Sequence, residues 1–229
     1  MSAAGLYLTG TDTGIGKTAA GVALLHALRA RGSHAVGMKP VASGCALVDG
    51  EWRNDDALAL LAASGFAPAY SQVNPYALPE PTAPELAAAA VGIDIDLAIL
   101  CEADAALAAE AQHVVVEGVG GWATPLSARL DQSVLVHALD LPVVLVVGLR
   151  LGCINHARLT ARAIEADGCR LLGWIGSRIE ADFFRADDTI ANLERLLPSP
   201  CLGILSHRRD EPGEHARELN LARIVGLSA

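Results

Sequence analysis

The stretch GLYLTGTDTGIGKT, residues 5–18, constrains this chain more than any other segment. An apolar run enters a glycine-rich loop, and Ala19, Ala20, Val22, Ala23 and Leu24 continue beyond it with the composition of a helix. Strand, loop and helix in that order make an anion trap. Successive loop N–H groups and the positive end of the helix converge on phosphate oxygens. Lys17 can reach the β and γ phosphates of a nucleoside triphosphate, and the Thr18 hydroxyl can ligate magnesium. Gly14 and Gly16 allow torsions and a close approach that a β-carbon would obstruct. The usual spacing is G-x-x-x-x-G-K-[ST]; here the first position is Thr11, with Gly10 one residue early, so the loop is a variant. The nucleotide contacts expected from it are Thr11, Asp12, Thr13, Gly14, Ile15, Gly16, Lys17 and Thr18.

The rest of the chain reads as βαβ units around a parallel sheet, because short apolar runs alternate with Ala/Leu-rich stretches of helical period. Strands are predicted at Gly5–Thr9, His34–Lys39, His113–Glu117, Val143–Gly148, Leu171–Ile175 and Cys201–Leu205. Several are continuous Val, Leu and Ile, as strands covered on both faces are. Helices are predicted at Lys17–Arg31, Asp55–Ala63, Pro84–Ala90, Leu97–Gln112, Gln132–Leu139, Cys153–Asp167 and Thr189–Leu197, with Gly32 as a C-terminal cap of the first. The proline-rich stretch Asn74–Pro84 is expected to be a long loop, of the kind that often carries function. With 229 residues and no internal linker, the chain is read as one α/β domain over 1–229.

Composition narrows the class. Five scattered cysteines without a C-x-x-C pair point to reduced thiols, not to a disulfide framework or a zinc site. The best apolar run, Val134 to Val147, is interrupted by His137, Asp140 and Pro142, and no basic-then-apolar leader is visible, so a soluble cytoplasmic protein with no membrane partner is expected. A net charge of -9 with dispersed basic residues disfavours nucleic acid as a partner. Among 17 Lys and Arg, the only lysines are Lys17 and Lys39. Where lysine survives in so arginine-rich a chain, a compact ammonium on a flexible stem is needed.

Two further motifs answer the first. HVVVEGVGGW ends a buried strand at Glu117, where P-loop enzymes place the acid that holds magnesium, directly or through water. Gly118, Gly120 and Gly121 then let the backbone pass close to a ligand. GMKPVASG followed by RNDDALAL puts Lys39 at the carboxyl end of the second strand, the edge on which open α/β sheets bind ligands. Ser43 adds a hydroxyl there. Asn54 or Asp55 could cap the next helix, leaving Asp56 in its first turn as a second magnesium ligand; the pair of aspartates would also suit a helix N-terminus for charge alone.

On GTDTGIGKT, KPVASG, RNDDALAL, VNPY, EPTAP, VVEGVGGWATPL, LPVVLVVG and LGCINHA, in that order, the chain resembles the dethiobiotin synthetases of biotin biosynthesis over nearly its whole length. The resemblance implies a doubly wound, mostly parallel P-loop NTPase fold with helices on both faces, a homodimer, and an ATP- and magnesium-dependent ring closure. Carbon dioxide adds to an amine of 7,8-diaminononanoate (diaminopelargonate), ATP phosphorylates the carbamate, and the second amine closes the ureido ring. By the same resemblance Lys39 holds the carbamate with Thr13 and Ser43 as hydrogen-bonding neighbours, and Lys17 serves the phosphates. Thr18, Asp56 and Glu117 form the metal set, and Gly118 and Gly120 line the nucleotide. The substrate's carboxylate tail lies across the dimer interface on Gly152, Cys153 and Asn155, with Arg150 where lysine would be familiar; a structural role suits His156 better than general-base work.

Two positions depart from the family pattern. Relatives carry Asn after the Leu171–Ile175 strand to read adenine; here Ser177 stands there, offering only a hydroxyl, so other nucleoside triphosphates could serve beside ATP. The family's tail-binding tyrosine aligns with Thr189. Two other classes share a P-loop: a switch ATPase that changes partners, which gives no reason for Lys39, and an amidoligase, which would need a glutamine-handling domain that this length does not hold.

Overall fold

In a computed structural model, residues 4–207 and 214–224 are described. Six strands form the central sheet: β1 (Ala4–Gly10), β2 (Ala35–Met38), β3 (His113–Glu117), β4 (Val143–Gly148), β5 (Leu171–Ser177) and β6 (Cys201–Leu205). They lie in the order β6-β5-β4-β1-β3-β2, and each neighbouring pair is parallel. The α-helices are α1 (Lys17–Arg29), α2 (Asp55–Ala63), α3 (Tyr70–Val73), α4 (Pro84–Ala90), α5 (Leu97–Glu110), α6 (Gln132–Leu139), α7 (Cys153–Ala166) and α8 (Ala186–Leu196).

Alternation along the strands sorts the core into layers, as the period of two requires. Leu6 and Leu8 of β1, Val115 of β3, and Val144 and Val146 of β4 pack with Leu24, Leu25 and Leu28 of α1. Tyr7, Val114, Val116 and Val143 point the other way, into a cluster with Leu100 and Leu107 of α5 and Leu135 of α6. Leu145, Val147 and Trp174 meet Cys153 and Ala157 of α7 and Leu193 of α8. Every residue of β3 and of β4 is buried, and each fully buried leucine or valine contributes about 1.5–3 kcal/mol of transfer free energy. Helices therefore cover both faces of the sheet, and the expected doubly wound α/β architecture is the observed one.

Local chemistry sets the helix ends. The Asn54 side chain accepts from the N–H groups of Asp56 and Ala57 at 3.0 and 3.2 Å, so Asn54, not Asp55, caps α2. Gly32 has a φ of 83°, and the Gly32 and Ser33 N–H groups close onto the Arg29 and Leu28 carbonyls at 2.9 and 3.2 Å, the paired bonds of a glycine-terminated helix. Helix α8 starts at Ala186, three residues before the expected Thr189, because its first turn is polar and carries Asp187 and Asp188.

Three sequence expectations need correction. The stretch Asn74–Pro84 is not wholly loop: Tyr76–Leu78 forms a short strand parallel to Val41–Ser43. β5 runs two residues beyond Ile175, so Ser177 ends the strand and does not follow it. A hairpin, Ala46–Val48 with Glu51–Arg53, was not foreseen.

Candidate active site

Parallel register brings the three motifs to one edge. Leu8 lies opposite Glu117 and Met38 opposite Val116, so the residues leaving β1, β2 and β3 at their carboxyl ends are neighbours. The chain crosses over β1 on its way from β3 to β4, and the crevice at such a reversal is where open α/β sheets bind ligands.

The phosphate loop is shaped by its own backbone. Gly16 precedes α1 with a φ of 89°, and Gly14 has a φ of 70°. A β-carbon on Gly16 would collide with the Ser177 side chain at the end of β5. The Asp12 carboxylate accepts from the Thr13 N–H at 2.8 Å and from Arg150 at 2.7 Å. Lys17 folds back to donate to the Asp12 carbonyl at 2.9 Å. Burial first, and then the Lys39 charge, lower the Lys17 pKa to about 8. Ile15 is buried against Gly10 and Gly148 and anchors the loop to the sheet.

Beside this loop lies a compact charge cluster. The Lys39 ammonium donates to Glu117 Oε1 at 2.6 Å, to Asp56 Oδ2 at 3.0 Å and to the Gly118 carbonyl at 3.3 Å. The Thr18 hydroxyl donates to Glu117 Oε1 at 3.0 Å. Lys39 is 3 % exposed and Glu117 0 %. Burial disfavours the Lys39 ammonium, but the two carboxylates outweigh it and hold its pKa above the usual lysine value. Asp56 likewise pays desolvation, which the Lys39 charge and the Thr18 and Lys39 hydrogen bonds overcome, so its pKa lies below the ordinary value.

Both groups open on a cavity of about 800 Å³. Of the expected residues, Thr13, Gly14, Ile15, Gly16, Lys17 and Thr18 line one side of it, and Lys39, Ser43, Asp56, Glu117 and Gly120 are also in its wall. Thr11 and Asp12 sit behind the phosphate loop; Thr11 donates its N–H to the Val146 carbonyl at 3.1 Å. Gly118 contributes its carbonyl through Lys39. Ser177 lies under Gly16 and is 7 % exposed. Gly152, Cys153 and Asn155 do not meet the cavity within this chain. Gly152 precedes α7 with a φ of 93°, Cys153 is buried among Leu145, Val147 and Trp174, and Asn155 and His156 are exposed. Thr189 is a half-buried residue of α8.

Sequence reasoning missed several contributors. Pro81, Thr82, Ala83, Val119 and Thr124 are also in the wall, with Ala42, Asn54 and Pro84. Asn74, 2 % exposed, donates its amide to the Lys39 carbonyl at 2.7 Å and accepts from the Tyr70 hydroxyl at 3.0 Å, fixing the backbone from which Lys39 rises. The signal was the polar Asn in VNPY, between an apolar residue and a proline.

The donor chemistry fits a hard divalent ion. Thr18, Asp56 and Glu117 offer oxygen only, and Glu117 Oε2 is buried without a partner among the described residues. No three His, Cys, Asp or Glu among the described residues form a closed metal cage. That suits magnesium, which keeps waters and shares phosphate oxygens with one or two carboxylates. No helix among the described residues is long and apolar enough to cross a membrane.

Comparisons with known proteins give the family and the fold. A family model described as an AAA domain matches residues 4–212. An ATP-dependent dethiobiotin synthetase, BioD, of Xanthomonas oryzae is 59% identical over 97% of this chain and 100% of that protein. The corresponding synthetase of Xylella fastidiosa is 58% identical over 90% of this chain and 92% of its own length. Among solved structures, the MinD cell division protein of Aquifex aeolicus superposes with a TM-score of 0.56 at 13% identity, covering 96% of this chain and 88% of that one. The chloroplast FtsY of Physcomitrella patens gives 0.56 at 16% identity, covering 100% of this chain and 66% of that one. The structural likenesses establish the P-loop NTPase fold; the sequence likenesses, together with the lysine–acid cluster facing a phosphate loop, establish that the chain belongs to the ATP-dependent dethiobiotin synthetases.

Proposed function

We propose that the chain carries out its family's reaction, the ATP-dependent closure of the dethiobiotin ureido ring from 7,8-diaminononanoate and CO2, as three transfers within the one cavity. An amine nitrogen bonds to the CO2 carbon and loses a proton, giving a carbamate. A carbamate oxygen then attacks the γ-phosphorus of ATP and ADP departs, leaving a carbamic–phosphoric anhydride. The second amine attacks the carbonyl carbon and expels phosphate, which closes the ring.

The observation that carries this reading is the buried ammonium of Lys39, poised at the cavity wall between Glu117 and Asp56 and opposite Lys17. A carbamate is an anion that reverts in the absence of compensating charge, and a preorganised cation in a water-poor site holds it well. Thr13 and Ser43 stand in the same wall to donate hydrogen bonds to it. Lys17 and the N–H groups of Gly14 to Thr18 bind and align the triphosphate, since phosphoryl transfer depends on charge neutralisation and alignment more than on covalent help. Thr18, Asp56 and Glu117 would hold magnesium. When bound, that ion neutralises charge on the transferred phosphoryl group.

The tail of the substrate, we propose, is bound by Gly152, Cys153 and Asn155 of a second copy in a homodimer. What supports this is their position: all three follow the carboxyl end of β4, on the sheet edge that carries the site, and Gly152 and Asn155 face solvent beside Leu151, which is 91% exposed, while Cys153 is buried beneath them. A single domain over 1–229 and a cytoplasmic setting complete the reading, supported by the family match over residues 4–212 and by cysteines that are all free. With a serine at 177 in place of an amide, base discrimination should be weak, so other nucleoside triphosphates are usable beside ATP. The deciding assay follows ATP turnover with and without diaminononanoate and bicarbonate. Turnover that depends on both supports ring closure; equal hydrolysis without them would identify a switch ATPase instead.

A further inference from the structure

One buried polar side chain has no place in that chemistry. Gln132 opens α6, is 0% exposed, and its amide is surrounded by five partners. Nε2 lies 2.6 Å from the Gly121 carbonyl, 3.1 Å from that of Val119, and 3.3 Å from those of Trp122 and Thr124. Carbonyls only accept, so this end of the amide is the NH2 group, and Oε1 is the end that faces Tyr7. The Tyr7 hydroxyl donates to it at 2.7 Å. Tyr7 is buried on β1, and that burial, with the Glu117 charge added, raises its pKa and keeps the hydroxyl a donor. Gly118 fits against both: a β-carbon there would collide with Gln132 Oε1 and with the Tyr7 hydroxyl.

The object held by this network is the loop 118–124. It presents Val119, Gly120 and Thr124 to the cavity, and its first carbonyl accepts from Lys39. Four of its carbonyls turn inward, where an acceptor without a donor is costly. Two N–H groups of one side chain satisfy them, and the same side chain ties the loop to β1, the strand that carries the phosphate loop.

We infer that Gln132 is a positioning residue for ring closure, which with Tyr7 sets the path of loop 118–124 and so the shape of the cavity wall that faces the diamine. This rests on the reading above that the Lys39 side of the cavity takes the diamine. Ring closure by the wild type, measured first, tests the reaction, and Lys39→Arg, read as diamine KM against nucleotide affinity, tests separately where the diamine sits.

Gln132→Met keeps the length of the side chain and removes both donors. With ATP and diaminononanoate varied independently, the diamine KM should rise about tenfold and kcat/KM for the diamine should fall about 10–100-fold, as expected for buried acceptors left unpaired. The KM for ATP should rise less than the diamine KM, because residues 14–18, held by β1 and α1, keep most of the nucleotide contacts and only Gly118 and Gly120 of the loop are expected there. A residue of merely structural value would lower Tm and the active fraction while leaving both KM values alone, and that result overturns the proposal. Tyr7→Phe guards against a Gln132 variant that does not fold. It removes one hydroxyl, keeps the ring, and should raise the diamine KM about threefold with a smaller change for ATP. Unchanged KM values in folded Tyr7→Phe would also overturn the assignment.

Discussion

Two turns leave the same edge of the sheet, and both enter a helix through a glycine in the left-handed region: Gly16 before α1, with a φ of 89°, and Gly152 before α7, with a φ of 93°. Neither glycine supplies a side-chain cap, though the first N–H of α7, that of Cys153, is already taken by the Arg150 carbonyl at 3.1 Å. Yet only the first faces a walled cavity. The difference lies in what surrounds the turn. Gly16 is followed by Lys17 and Thr18 and is faced by Lys39, Glu117 and the Pro81–Pro84 segment. Gly152 opens on solvent, with Leu151 and Asn155 exposed beside it. A helix terminus becomes a site when other elements close around it; the second turn has no such wall among the described residues. The Asp12–Arg150 ion pair at 2.7 Å joins the two turns.

The largest expected effect breaks the first turn. Lys17→Ala should leave a folded protein whose ring closure falls about 10²–10³-fold, the typical loss when a preorganised charge is removed from a transferred group. Near-wild-type turnover in a folded variant would reduce the phosphate loop to a structural turn. Next, Lys39→Arg separates the two sides of the cavity. The planar guanidinium keeps the charge but cannot occupy the space between Glu117 and Asp56, so ring closure should fall about tenfold or more while nucleotide affinity, measured by calorimetry, changes little. Equal losses in both would move Lys39 to the nucleotide.

For the second turn, if the proposed homodimer covers Leu151, Leu151→Asp should weaken self-association about tenfold or more, the loss expected when a leucine covered by a partner is replaced by a charge. Sedimentation at several concentrations reads this directly, and the diamine KM should rise in parallel. An unchanged association constant would show that the wall for Gly152 comes from elsewhere.

The smallest effect belongs to neither turn. Asp104 on α5 has a carboxyl oxygen buried without a partner among the described residues, and burial raises its pKa from 3.8 to about 6. The folded chain therefore holds this proton more tightly than the unfolded chain, and stability drains away as pH rises from about 4 through 6. Asp104→Asn should remove that slope and stabilise the protein at pH 7.5 by about 1 kcal/mol. Thermal melts at pH 4.5 and 7.5 decide it; equal effects at both would implicate packing.

The strands and the phosphate loop were legible because continuous apolar runs and a glycine-rich turn are local signals. The edge-sharing of Lys17, Lys39 and Glu117 follows from those runs once they pair in parallel, whereas the strand order and the register come from the structure alone. What could not be read was anything whose meaning depends on distant partners. Gln132 sits between Asp131 and Ser133 and reads as a solvated helix start, but its partner Tyr7 lies 125 positions away. Asn74 gave only its polarity, not the Lys39 carbonyl that it serves. The hairpin at Ala46–Val48 and Glu51–Arg53 is three residues a side, too short for periodicity to show. The sequence pattern ends this strand at Ile175, two residues short of Ser177, because Gly176 reads as a break, whereas in β5 Gly176 is packed against Ile204 of β6.

Both lysines of the chain are buried at the cavity, 7% and 3% exposed, and every other surface cation is an arginine or a histidine. Apart from the amino terminus, the exterior therefore presents no primary amine to an acylating reagent. Of the two that remain, Lys39 is locked as an ammonium, and Lys17, with a pKa of about 8, is near half free base at mildly alkaline pH and so nucleophilic. A small activated ester should thus mark one side chain, in the mouth of the phosphate loop, and bound nucleotide should shield it. The amino terminus aside, Lys17 is then the one side-chain amine that reports occupancy.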